Sequence, residues 1–151
     1  MTQEDKMLLI KDLSARLPYA VTVEHTSGFR STLHDITVHH MYDDNDNVYD
    51  AICYTNFFGD EDSIYIEYFK PYLFPLSSMT EEQKKDIFRN GTFFFDRHNT
   101  LCRVPKHNDD YDYATFEDYL EITEKLNKNH FDYRGLIPKG LAIDATGLNI
   151  Y

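Results

Sequence analysis

A chain of 151 residues has the length of one domain and can bury about 68–70% of its unfolded surface, so a core needs no disulfide or metal to hold it. Hydrophobic residues make up 42% and aromatics 15%, which excludes an intrinsically disordered chain. The balance of 15 basic against 26 acidic residues, net −11, argues against direct nucleic-acid binding and against an anionic membrane, because phosphate recognition needs a basic surface.

The chain opens on helical spacing. Thr2 is an N-cap candidate, Glu4 and Asp5 fall in a first turn favoured by the macrodipole, and Leu9, Ile10, Leu13 and Leu17 form an apolar stripe ended by Pro18. With Lys6, Lys11, Asp5 and Asp12, the outer face of this helix reads as solvated. The N-terminal residues lack the basic region and apolar core of a signal peptide, and the longest apolar run there, Met7-Leu8-Leu9-Ile10, is far short of the ~20 residues of a membrane span.

From Tyr19 to Phe69 the period changes to two. Ala20–His25 reads as a strand, Thr26-Ser27-Gly28 as a turn, and Phe29–Tyr42 as one long or bent strand with a candidate break at His34-Asp35. Residues 43–47 form a second turn, and Val48–Asn56 and Ser63–Phe69 read as further strands. This pattern predicts an antiparallel meander curled into a partial small barrel. Two prolines in Lys70–Leu76 predict that the chain then leaves the sheet. Thr80 with Gln83 and Ser78 with Glu81 offer alternative capping boxes for a helix to about Arg89, stopped by Asn90-Gly91. Thr92–Val104 is a strand or short hairpin, and Lys106–Asp112 a polar loop. A helix over Tyr113–Lys128 carries Phe116, Tyr119, Leu120, Thr123 and Leu126, and an ordered C-terminal loop segment follows. The expectation is one globular α+β domain over residues 1–151.

Three stretches resemble one family. They are Lys70–Gln83 (KPYLFPLSSMTEEQ), His130–Ala142 (HFDYRGLIPKGLA) and Lys11–Tyr19 (KDLSARLPY). Together they are similar to an uncharacterised small-protein family of gut Bacteroidetes and their phages and prophages. The resemblance implies the cytoplasm of a bacterial host and supplies no catalytic residues.

Each motif has a plainer reading. His34, His39 and His40 lie close in sequence, but alternation sends His34 and His40 to one face and His39 to the other, so a metal site needs ligands from a neighbouring strand. Ordinary surface histidines are the simpler reading. Asp43-Asp44-Asn45-Asp46-Asn47 suggests a calcium loop, yet Val48 and Tyr54 stand where Gly and Glu are required. Gly135–Gly140 has half of a phosphate loop, but Leu141 and Ala142 replace the Lys and Ser/Thr that must follow. Cys102, with Arg97 and Arg103 near in sequence and His98 and His107 as potential bases, reads as a buried structural thiol. Cys53 and Cys102 include no CxxC pair and suit a reducing compartment.

The sequence thus calls for no catalytic residue, cofactor or metal. It points to an acidic module acting on a protein partner, since abundant tyrosine suits a binding surface. Candidate contact residues are the acidic turns: Asp43, Asp44 and Asp46, and Asp60, Glu61 and Asp62. The alternatives are an enzyme with a His/Tyr/Asp pocket and an acidic DNA mimic. For a mimic, −8 of the net charge falls in residues 1–70.

Overall fold

The computed structural model describes residues 1–42, 48–55, 61–89, 91–96, 98–104 and 112–151, with only the backbone described at 38, 40–42, 48–55, 61–64, 112 and 113. In chain order the elements are α1 (Gln3–Arg16), β1 (Val21–His25), β2 (Arg30–Leu33), β3 (Thr37–Tyr42), β4 (Val48–Thr55), β5 (Glu61–Tyr65) and β6 (Phe69–Pro75), then α2 (Glu81–Ile87), β7 (Phe93–Phe95), β8 (Leu101–Arg103), β9 (Asp112–Tyr113), α3 (Phe116–Lys128), β10 (Phe131–Asp132) and β11 (Ile143–Asp144). They form two compact units, Met1–Leu73 with Gly135–Tyr151, and Phe74–Arg134. The architecture is α+β, as the alternating periods predict.

In the first unit, α1 starts on a reciprocal cap. The Thr2 hydroxyl accepts the Asp5 amide at 3.1 Å, and the Asp5 carboxylate accepts the Thr2 amide. Leu9 and Leu13 are fully buried with Val21, Val23, Leu33, Ile66, Phe69 and Leu73. One expectation fails on this helix. Asp12 is buried, not solvated, because Arg16 one turn later is buried with it. The guanidinium donates from Nε to Oδ2 at 2.7 Å and from Nη2 to Oδ1 at 3.0 Å. A charge leaves water in this way only when a paired charge and directed hydrogen bonds go with it.

β1 and β2 form a hairpin with Val21 opposite Leu33, and Gly28 at φ 83° supplies the left-handed turn residue. The 70–76 segment does not leave the sheet. It forms β6, antiparallel to β1 with Val23 opposite Pro71, and parallel to β11 with Tyr72 opposite Ile143. The tolerance of Pro71 follows from the ladder's alternation. The Thr26 amide donates to the Tyr68 carbonyl at 3.0 Å, so hydrogen-bonded pairs recur every second residue from there, and Val23/Pro71 falls in a non-hydrogen-bonded pair. A residue without an N–H costs nothing toward β1 at that position.

β3, β4 and β5 make their own antiparallel sheet. The partial barrel is therefore not formed. Residues 34–36 lie outside any strand, and without a continuous ladder the described sheets do not close.

In the second unit, α2 starts on the Thr80–Gln83 box, while Ser78, the rival cap, donates instead to the Pro75 carbonyl at 2.8 Å. The 92–104 stretch is a hairpin of β7 and β8, its turn held by Asp96 Oδ1, which accepts the His98 and Thr100 amides at 2.8 Å each. α3 begins at Phe116, not Tyr113. Thr115 and Asp118 close a capping box there, and Asp112–Tyr113 pair with β8 as β9. β10 pairs in parallel with Phe74 and Pro75, and Met79, Ile87, Phe93, Leu101, Ile122, Leu126, Phe131 and Tyr133 form the core. The segment after Asn129 is ordered and holds β10 and β11. Among the described residues no helix is long and apolar enough to cross a membrane.

Candidate functional site

The expected acidic contacts fall largely outside the described residues. Asp43, Asp44, Asp46 and Asp60 lie there altogether, and Glu61 and Asp62 are placed by backbone only, in β5. The register still separates the strand ends that flank the two segments. Tyr42 pairs with Val48 at one end of β4 and Thr55 with Glu61 at the other, about 24 Å apart at ~3.4 Å per residue.

The described histidines do not converge. His34 is exposed and follows β2, His39 is exposed on β3, and His40 is placed by backbone only. Among the described residues no three His, Cys, Asp or Glu side chains are grouped to hold a metal ion. Cys102 is a buried thiol on β8, and burial, reinforced by the charge of Asp96, pushes it up from the ordinary thiol range. That shift disfavours the thiolate a nucleophile needs.

A polar cluster missed by the sequence reading sits where β2, β1 and β6 adjoin. The Tyr72 hydroxyl donates to Glu24 Oε2, Arg30 Nε donates to the same oxygen at 3.3 Å, and the Arg30 guanidinium lies 5.0 Å over the Tyr72 ring. The hydrogen bond from Tyr72 holds the Glu24 carboxyl below its usual range, while burial pushes the Tyr72 phenol up. The alternation in β1 that turns Glu24 away from Val21 and Val23 was readable. The β1–β6 pairing that joins Glu24 to Tyr72 was not.

The second feature is α3. Its buried face is Ile122, Thr123, Leu126 and Asn127. The apolar stripe continues past that core toward the N-terminus, where Phe116 is 75%, Leu120 50% and Tyr119 41% exposed. Spacings of three and four residues put these three side chains on one side of the helix. A different side is clamped to α2 and to Arg89 just beyond it. There Arg89 Nη1 donates to Asp118 Oδ1 at 2.6 Å, Arg89 Nη2 donates to Glu121, and Lys125 Nζ donates to Asp86 Oδ1 at 3.1 Å. The Thr115 hydroxyl, donating to Asp118 at 2.8 Å, holds the Asp118 carboxyl below the usual carboxylate range, with Arg89 adding to it. The helix is thus fixed at its start and along one side while Phe116, Tyr119 and Leu120 stay in water. The sequence reading places these three residues in one apolar stripe with Thr123 and Leu126. It had no signal for where the core beneath them stops.

No protein-family model, curated protein or solved structure matches the chain.

Proposed function

We propose that this is a small acidic protein-binding module, encoded by a phage or mobile element of a gut Bacteroidetes host and working in the host cytoplasm through contact with another protein. The observation that carries the reading is the exposure of Phe116, Tyr119 and Leu120 on a helix whose capping and ion pairs fix it in place. Leaving apolar surface wet forgoes about 25 cal/mol per Å2. Aromatic and aliphatic anchors on a preorganised element are what a binding hot spot requires. The net charge of −11 favours a protein partner over nucleic acid or anionic lipid.

The test is affinity capture with the full chain beside a Phe116→Ser/Leu120→Ser variant. The expected result is a stoichiometric partner that the variant loses. Turnover of a metabolite with no partner recovered overturns the reading and favours an enzyme. The Glu24–Tyr72 pair is the feature that would then supply acid/base chemistry.

A further inference from the structure

We infer that an aromatic corner beside the β1–β2 turn binds a methylated ammonium group, of the kind carried by choline or by trimethylated lysine. The site lies in the first unit and goes beyond the binding-module reading, which rests on α3 in the second.

The strands build the corner. β1 runs between β2 and β6, so His25 at its end has a neighbour on either side. The His25 amide donates to the Phe29 carbonyl at 2.8 Å, and its register partner on β6 is Phe69. Glu24 and Arg30 pair on one face of the sheet. His25 and Phe29, each one residue nearer the turn, therefore fall on the other. There the His25 ring meets the Phe69 ring at 6.3 Å and the Tyr68 ring at 6.0 Å, the second at 85°. Tyr68 also stands at 73° to the Tyr65 ring, 5.4 Å away. Burial falls off along this row. Phe69 belongs to the core, His25 and Tyr65 are half-buried, and Tyr68 is 40% and Phe29 58% exposed.

The rings, not a carboxylate, select the charge. A ring face is the negative part of the aromatic quadrupole, so rings set near a right angle present two such faces to one cation. Glu67, next to Tyr68, is already met by Lys6 at 3.2 Å, while Arg30 and Lys70 lie with Glu24 on the opposite face. The imidazole adds no charge. Its Nδ1 accepts the Ser27 amide at 3.1 Å, so that nitrogen carries no proton.

The same bond decides between kinds of cation. With Nδ1 accepting, Nε2 is the protonated nitrogen, and it is buried without a hydrogen-bond partner. The imidazole thus has no acceptor left for an incoming N–H. A lysine ammonium brings three donors and a tight hydration shell. A methylated ammonium spreads its charge over methyl groups that ask only for ring faces.

The experiment titrates the full 15N-labelled chain with three probes. They are choline, its uncharged isostere with tert-butyl in place of trimethylammonium, and ethanolamine, which keeps the charge but has three N–H donors. The expected result is that choline shifts the amides of residues 25–29 and 65–69, its methyl protons move upfield under the ring currents, and it binds about fivefold tighter than either of the others. Tyr68→Phe, which keeps the ring, should bind choline as the parent does, and Tyr68→Ala about fivefold more weakly. If Tyr68→Ala melts lower than the parent, Phe29→Ala, at the more exposed position, should still weaken binding. Equal binding of the tert-butyl isostere makes the corner an apolar patch and overturns the cation. Equal binding of ethanolamine overturns the methylated group. No shift at residues 25–29 and 65–69 overturns the site.

Discussion

The Tyr151 hydroxyl donates a 2.7 Å hydrogen bond to the carbonyl of Tyr72 and accepts the Thr22 amide at 3.3 Å. Thr22 and Tyr72 are the next hydrogen-bonded pair in the β1–β6 alternation beyond Pro71, so the phenol stands where a rung of the ladder would otherwise form. Tyr151→Phe keeps the ring and removes the bridge. It should cost about 1 kcal/mol and lower Tm by about 3 °C in a thermal melt. An unchanged Tm would mean that the rung contributes nothing.

The same phenol sets an alkaline limit. Tyr151 keeps 46% of its surface exposed, but burial of the hydroxyl end pushes its pKa from 10 up to about 12. A proton held more tightly when folded contributes fully below pH 10, and the contribution is lost as pH rises through 12. Denaturant melts of the parent should therefore lose stability between pH 10 and 12, and Tyr151→Phe should lose less. On the acid side the signs reverse. The carboxyls of Glu24, held low by Tyr72, and Asp118, held low by Thr115, contribute above the ordinary carboxylate range, and their contribution is lost as pH falls below it.

Asp12 and Arg16 depend on each other. Asp12→Ala leaves a guanidinium buried without its carboxylate, and should cost about 3–5 kcal/mol in urea unfolding. Replacing both, as Asp12→Leu/Arg16→Met, should cost much less, because no uncompensated charge remains. Equal losses from the single and double variants would contradict this account of the pair.

Leu13 is fully buried against the strands of the first unit. Leu13→Ala should cost roughly 2–5 kcal/mol. A Tm equal to that of the parent would reject the packing of α1 on those strands.

Local signals in the sequence proved readable where local physics decides the outcome. Thr2 and Thr80 cap their helices because a hydroxyl followed three residues later by a carboxyl or amide satisfies two amides at once. Leu9 and Leu13 are buried because one face of α1 must be dry. The failures lie where a distant partner decides. Prolines 71 and 75 read as a break, but β1, β10 and β11 set the ladder phase that accommodates them. Asp12 read as solvent-facing because its helical position was judged without Arg16, although the four-residue spacing was visible. Thr115 and Asp118 have the three-residue spacing of a capping box, a local signal that the helix start expected at Tyr113 leaves unused. The α3 face was visible as a stripe, but its exposure is a property of the surrounding fold.

The most direct test of the binding-module reading is site-specific photo-crosslinking. A benzophenone amino acid is placed at Phe116, and in a separate variant at Met7, an exposed apolar position on α1. The account predicts a discrete protein adduct from position 116 in host cells, absent from position 7 and lost when Leu120 is also replaced by Ser. No adduct from position 116, or the same adducts from both positions, would contradict it.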